Sequence, residues 1–579
     1  MHNPKAGIDG SQTVLRGAID PPGAQPLFIV FALIVSLTPA LPLVFVHGAD
    51  TAFLLLTGDA YLYLGIAQAS TPEFFSFDGE RPTNGFHPLW QLWVRLLAWV
   101  IGDAPLVLMN AVAWSAVACV TAGVLLLGAA IHRATGSWLL GLLAAPGLHY
   151  LLVGQGLGNL AVWNFHDGME AGLTFALTGL AAWLVAGMRA DERRPGVWLA
   201  LGAVLAVLMF ARLDEVFVPL CVGLAWLVWK PRDFLVQVPA VILLGLPSAI
   251  VLGLYWLYNW HTVGVLMPVS GGAKGEGALL GNLYVTAVTF FAPLYDLRAL
   301  VSDYAADRNG LTFAAFRPVQ VVFPALLAGF FVVILHRRFR EAPWAPIMAG
   351  FCAAILVKAA YNAVAVNYWH QASWYFGFAC AALSFTAALL FAPVAARLRA
   401  QAPEVGLLVA VTVVLVGLMQ ASQSYARRAE SPELAERRGF WEARAEIGAA
   451  LAAATAPAPP KLLEFGDGFL NFSLALPVRH GFVFAGDPQS LAALRAGRLL
   501  ADAQADGYGL LASYEYLRWP AASTERSSDE IRAYLRAAVS DDRVRAELDR
   551  FDFRVVHVHQ PLTIPFIAFR PRGAGDGGG

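Results

Sequence analysis

The chain has 579 residues, of which 58% are hydrophobic and only 14% are charged, and its mean hydropathy is +0.58. Soluble domains carry about 25% charged residues, so the composition excludes a wholly soluble protein. The net charge of -1 is silent about partners, but no basic tract is present and nucleic acid is not expected as one.

Residues 1–26 are polar, with Pro and Gly, and read as a cytoplasmic tail. An apolar run over 27–46 follows. It is longer than the apolar core of about 7 to 15 residues in a signal peptide and lacks a clear small-residue cleavage site, so it reads as a retained anchor. Further spans are expected near 88–102, 104–131, 138–166, 169–188, 196–211, 215–229, 235–258, 318–335, 344–366, 374–396 and 404–422. A bilayer core of about 30 Å takes about 20 apolar residues as helix, and without water the backbone must bond to itself. The basic stretches "RADERRP" (189–195), "KPRD" (230–233), "HRRFR" (336–340) and "ARLRA" (396–400) alternate as inner loops under the positive-inside rule. That places 47–87, 259–317 and 367–373 outside, with everything after 422. "HRATG" at 132 does not fit this parity, which leaves about 11 to 13 transmembrane helices. Cys119, Cys221, Cys352 and Cys380 lie in apolar runs and read as small core residues.

From 423 to 579 the composition approaches that of a soluble domain. "KLLEFG", "GFVFAG", "YGLLASYEYL", "FRVVHVH" and "LTIPFIAF" read as short strands. "SSDEIRAYLRAAVSDDRVRAELDRF" reads as helix, capped by Ser527 or Ser528. "APAPP" (456–460) reads as a linker or turn before the first strand, and "GAGDGGG" as a flexible tail. The expected fold is thus a polytopic α-helical membrane domain over 27–422 and an α/β domain outside the membrane. No internal repeat is visible.

Ionisable residues in membrane segments usually face a cavity or serve function. Here they gather at the expected outer ends of the helices. Asp59 stands in the first outer loop, and Asn84 and His87 stand in "TNGFHPLW" where the second span begins. Asp167 and Glu170 stand in "FHDGMEAGL". Arg212, Asp214 and Glu215 stand in "ARLDEVF", His261 and Lys274 in 258–277, and His370 in "NYWHQASWYF". Each taken singly also fits a charge resting among headgroups, and the nearby Trp and Tyr fit an interfacial belt. The convergence of six segments at one depth is what points to a site. Asp59 opens an apolar stretch that reads as an amphipathic outer helix, a poor place for a merely solvated charge. "PVSGGAKG" lacks the glycine-to-lysine spacing of a P-loop. Lys358 and Arg95 lie within spans, where they snorkel or pair with an acid, and neither is assigned a catalytic role.

A carboxylate beside a membrane with cations nearby suits transfer of a group from a phosphate-bearing lipid. The carboxylate takes a proton from the acceptor hydroxyl, and Arg, Lys or His stabilises the departing phosphate. Arg212 and Lys274 are the expected cations, with His87, His261 and His370 as hydrogen-bond donors.

"GDAYLYL", "RPTNGFHPLW", "GMEAGL", "ARLDE" and "MPVSGGAKG", in that order, resemble the motifs of bacterial membrane glycosyltransferases of the GT-C superfamily. The branch with cell-wall arabinofuranosyltransferases is especially similar. The likeness covers most of residues 50 to 280 and is loose afterwards. It implies a polyprenyl-phosphate-linked sugar donor, inversion at the sugar carbon, and a multi-pass protein of the bacterial inner membrane with its site facing the periplasm. It also implies Asp59 as the catalytic base, with Glu170, Arg212 and Asp214 at the substrate, and an accessory C-terminal domain that helps bind the acceptor. The acceptor is a glycan, a lipid or a protein. Three positions depart from the family pattern: Gly58 replaces the first acid of a usual pair, Ala171 replaces a Thr, and Leu213 replaces a Pro. One carboxylate where a metal prefers two leaves dependence on a divalent cation open. Three rival readings stand beside this one: a transporter or flippase for a lipid-linked substrate, a periplasmic glycan ligase using an undecaprenyl-diphosphate donor, and a non-catalytic scaffold.

Overall fold

Backbone groups in a bilayer core must be satisfied within their own segment, which makes the apolar runs helical. The computed structural model describes residues 20–41, 45, 52–56, 58–102, 104–144, 165–189, 192–229, 233–274, 342, 344–365, 375, 377–401, 403–429, 432–466, 468–474, 476–514, 517–519, 525–539, 541–560 and 562–573. Among these, four helices are long and apolar enough to cross a membrane: Pro105–Thr135, Phe234–Thr262, Ala345–Asn362 and Gly377–Leu398. Shorter apolar helices pack with them, including Pro88–Ile101, Ala171–Ala186 and Pro195–Ala211. Small residues allow the closest approach: a Cβ on Gly179 would lie 3.0 Å from the carbonyl oxygen of Gly123 on the neighbouring helix. Trp99, Val107, Leu235, Ile250 and Leu257 are exposed on the outside of this bundle, an apolar surface suited to lipid. The chain is a polytopic α-helical membrane protein. The spans expected at 138–166 and 318–335 lie mostly or wholly outside the described residues.

The last apolar helix, Pro403–Ala429, continues past residue 422, so the change of composition there is not a break in secondary structure. The helix Pro432–Thr455 then leads into an α/β domain. Its strands are β1 (Leu462–Glu464), β2 (Val478–His480), β3 (Leu510–Ala512), β4 (Phe551–His559) and β5 (Ile564–Pro571), in the order β2-β1-β3-β5-β4. β1 runs parallel to β2 and β3, and β5 runs antiparallel to β3 and β4. β1, β2 and β3 are buried along their whole length. The expected helix after residue 527 is two helices, Ser528–Ala538 and Asp542–Glu547. Ser527 caps the first through a reciprocal capping box with Glu530, and Asp541 caps the second.

Two expectations are corrected. "GFVFAG" (481–486) is a turn, not a strand; the strand is the preceding β2. The Gly481 N–H donates to the Glu464 carbonyl at 2.7 Å where β1 ends, and the Val483 N–H then turns back to the His480 carbonyl at 3.1 Å instead of extending the sheet. Val483 then takes a φ of 61°, a left-handed conformation that a β-branched residue rarely adopts. The helix Gly58–Ala69 is buried on all faces rather than amphipathic, with Ala60, Tyr61, Leu64 and Ile66 all inaccessible. The C-terminal domain covers it through the Phe469–Leu474 helix.

The 481–486 turn seats on the loop before the second apolar helix. The Thr83 hydroxyl donates to the Gly486 carbonyl at 2.7 Å, and any Cβ at position 85 would lie 2.0 Å from the Phe484 carbonyl oxygen, so only glycine fits there. Asp487 anchors the far end of the turn by accepting from the backbone N–H groups of Gln489 and Ser490 at the start of the helix Pro488–Arg495. Asp487→Ala is expected to cost about 1–2 kcal/mol, seen as a lower midpoint of thermal unfolding.

Candidate active site

A small cavity open to solvent lies where the helical region meets the C-terminal domain. Asp59, Tyr63, His87, Glu170, Arg212 and Tyr375 line it from the helical region, and Phe484 lines it from the domain.

Helix ends bring these groups together. Consecutive helices Ala171–Ala186 and Pro195–Ala211 place Glu170 at the N-terminus of the first and Arg212 at the C-terminus of the second. Each charge complements the dipole of its own helix, and the two ends meet. The Arg212 Nη1 donates to Glu170 Oε1 at 2.5 Å, and its Nε lies 2.9 Å from Asp214 Oδ1. The guanidinium carbon sits 3.9 Å from the centre of the Tyr375 ring, a cation–π contact. The Tyr63 hydroxyl donates to Glu170 Oε2 at 2.9 Å. Burial first, and the adjacent Glu170 carboxylate next, push the Tyr63 phenol well above its ordinary pKa, so it remains a donor.

His87 caps the Pro88–Ile101 helix, whose proline suits the first turn. Its Nδ1 accepts from the Leu213 N–H at 3.3 Å. In the neutral ring this leaves the proton on Nε2, which lies 3.5 Å from Glu170 Oε1. Leu213 supplies that N–H, which a proline at this position would lack. The Trp90 indole donates to the Gly168 carbonyl at 2.8 Å, which ties "NGFHPLW" to "GMEAGL".

The sequence assigns Lys358 no catalytic role; the structure gives it a set of partners. Its Nζ donates to Glu215 Oε1 at 2.6 Å and to the Tyr375 carbonyl at 2.9 Å, and lies 3.1 Å from Asp214 Oδ2. Burial would raise the Asp214 pKa, but Arg212 and Lys358 outweigh it and hold the carboxylate well below its ordinary range. Lys358→Met leaves the buried Glu215 carboxylate without its cation and is expected to destabilise the protein by about 3–5 kcal/mol. Adding Glu215→Gln should recover part of the loss, read by thermal unfolding in detergent.

The structure therefore brings Asp59, His87, Glu170 and Arg212 to one cavity, with Asp214 directly behind Arg212. It does not bring Asn84 there. That side chain is fully buried, donates to the Met267 carbonyl at 3.2 Å and accepts from the Val269 N–H at 2.9 Å. Asn84 thus holds the "MPVSGGAKG" segment against the loop. Lys274 ends the short helix Val269–Lys274, and its side chain, like the whole of His370, lies outside the described residues. His261 is exposed on the last turn of Phe234–Thr262 and is not part of the cavity wall. Asp167 closes a turn by accepting from the Met169 N–H at 3.0 Å. Arg95 donates to the Ala67 carbonyl at the end of the buried helix. Tyr63, Tyr375, Lys358 and Phe484 join the site as residues to which the sequence reading gave no site role, although Tyr63 and Tyr375 stand in stretches that it singled out.

Charge in this cluster is nearly balanced. Arg212 and Lys358 face the buried carboxylates of Glu170 and Glu215 and the partly buried carboxylate of Asp214. Arg212 is an oriented donor here, not a source of excess positive charge. Among the described residues no three His, Cys, Asp or Glu side chains converge as a metal ion requires, and Glu170 and Asp214 are already held by Tyr63, Arg212 and Lys358. The described residues do not fit a resident divalent cation.

The crystal structure of ArnT from Cupriavidus metallidurans bound to undecaprenyl phosphate is similar with a TM-score of 0.52 at 13% identity, over 95% of this chain and 98% of that one. The same protein in the apo state gives 0.43 at 15% identity, over 94% and 97%. The Archaeoglobus fulgidus oligosaccharyltransferase tethered to an acceptor peptide gives 0.48 at 11% identity, over 92% and 72%. The fold assignment rests on the first of these: the chain shares the fold of that ArnT structure, a polytopic membrane protein fold. No protein-family model matches the sequence, and no curated protein matches it.

Proposed function

We propose that this protein transfers a sugar from a polyprenyl-phosphate donor to an acceptor hydroxyl at the periplasmic face of the bacterial inner membrane, in the synthesis of a cell-envelope glycan or glycolipid. The observation that carries this reading is the cavity that gathers Asp59, His87, Glu170 and Arg212 at the junction of the membrane helices and the domain. The fold shared with ArnT and the undecaprenyl phosphate bound in that structure support it.

In this reading the donor enters from the lipid with its phosphate beside Arg212 and His87. The acceptor enters from the domain side. Asp59 takes the hydroxyl proton as the acceptor oxygen bonds to the anomeric carbon from the opposite face. The bond from that carbon to the phosphate oxygen breaks, and polyprenyl phosphate leaves with the electron pair. Donors already aimed at the departing oxygen stabilise its charge without reorganising. Because the buried cluster has no surplus cation, Lys274 would supply the remaining positive charge, with His87 donating a hydrogen bond from Nε2. Tyr63 and Asp214 hold Glu170 and Arg212 in place.

The test is incubation of the purified protein in lipid nanodiscs with a panel of lipid-linked sugars, following polyprenyl phosphate by mass spectrometry. One monophosphate-linked sugar is expected to be consumed. Turnover of diphosphate-linked glycans alone would replace the reading with a glycan ligase, and turnover of none would overturn it.

A further inference from the structure

We propose that Arg437 is the positioning residue for Asp59, fixing the break in the chain from which the base projects; this rests on the transferase reading above. Asp59 stands just after that break, which separates the helices Ala52–Leu55 and Gly58–Ala69. From Gly58 to Ala67 it is the one residue that keeps access to solvent. The rest of that segment is packed on every side, so the place of the carboxylate in the cavity is set by whatever holds the helix.

Arg437 grips the chain on both sides of the base. Its side chain comes from the helix Pro432–Thr455 and is buried. The Nη1 donates to the Leu56 carbonyl at 2.7 Å, just ahead of Asp59. The last carbonyls of a helix have no partner within it, and a charged donor makes the stronger bond to such a group. The guanidinium carbon lies 5.5 Å from the centre of the Tyr61 ring and 6.0 Å from that of Phe469, within reach of a cation–π attraction. Tyr61 follows Asp59 in the same turn, and its ring meets Phe469 edge-on at 4.9 Å. One buried guanidinium thus bonds the backbone before Asp59 and packs on the ring after it. The Phe469–Leu474 helix leaves the base helix no slack. A Cβ on Gly468, whose φ is 90°, would lie 2.9 Å from the Leu62 nitrogen, and one on Gly65 would lie 2.8 Å from Asn471 Nδ2. That packing holds the body of the helix, and Arg437 holds its entry. Arg437 does not line the cavity, so its effect on transfer runs through Asp59. A reacting group misplaced by about 1 Å loses about 10²-fold in rate.

The experiment uses the full chain in nanodiscs, with the lipid-linked sugar consumed in the panel above as donor and water as acceptor, and follows polyprenyl phosphate release. Arg437→Ala should lower kcat about 10²-fold and leave the KM for the donor unchanged, because Arg212 and His87 are untouched. Arg437→Lys and Arg437→Gln each keep an N–H for the Leu56 carbonyl and should fall between alanine and wild type. Ser527→Ala removes the cap of a domain helix whose residues do not line the cavity. It is the control for a general loss of stability, and its kcat should equal that of wild type. In an Asp59→Asn background Arg437→Ala should cost nothing further, because residues that act through one group are not additive. A wild-type kcat in Arg437→Ala, a loss carried by KM, or a full further loss in the Asp59→Asn background overturns the assignment while the transferase reading stands. If the alanine variant is not recovered folded, Arg437→Gln is judged by the same three criteria. A wild-type protein that releases no polyprenyl phosphate overturns both readings.

Discussion

Asp59→Asn is expected to lower transfer by about 10²–10⁴-fold while the protein keeps its wild-type thermal unfolding. Asparagine matches aspartate in shape and still accepts a hydrogen bond, but it cannot take up the hydroxyl proton. Asp59 lies in the first turn of the Gly58–Ala69 helix, where a negative charge gains about 0.3–1 kcal/mol from the helix dipole, so the stability cost of the substitution is small. Activity and stability therefore separate in this variant. Asp59→Glu keeps the base but moves it by one methylene and should retain a measurable fraction of the rate. Turnover of Asp59→Asn at the wild-type level would remove Asp59 from the role of base, and a parallel collapse of folding would make the residue structural.

Arg212 is expected to show the opposite pattern, with stability and activity lost together. Its guanidinium contacts Glu170, Asp214 and the Tyr375 ring at once and is 1% exposed. Arg212→Ala leaves the buried Glu170 carboxylate without its cation, while Asp214 keeps Lys358; a loss of about 3–5 kcal/mol is expected, and the protein should unfold at a markedly lower temperature. Arg212→Lys is the sharper test of chemistry. It keeps one positive charge but cannot span Glu170 and Asp214 with a planar fork. A fall of about 10²–10³-fold in transfer is expected, with a smaller fall in stability than in the alanine variant. A lysine variant that transfers at the wild-type rate would show that the fork geometry is irrelevant to the departing phosphate.

The motifs that could be read in advance share one property: each sits at the end of an apolar run, where a polar residue stands out. Asp59, His87, Glu170 and Arg212 were visible for that reason, and helix ends on one side of a membrane fall at similar depth. Lys358 was visible too, but its meaning was not. It lies 143 positions from Glu215, and no local spacing predicts which helix will face which. Asn84 carried the same polar signal as His87, yet tertiary packing turned it to hold 267–269.

The 481–486 turn shows the limit most clearly. Alternating Phe-Val-Phe has the period of a strand, and nothing local reveals that the Val483 and Phe484 N–H groups turn back onto the carbonyl and ring of His480. Hydrophobic composition by itself determined that this chain is helical and lies in a membrane, because unsatisfied backbone groups have no alternative in lipid. Which charges neutralise one another, and which aromatic ring walls the cavity, were decided only by contacts between residues far apart in the chain, because those energies depend on distance and burial that no stretch of sequence contains.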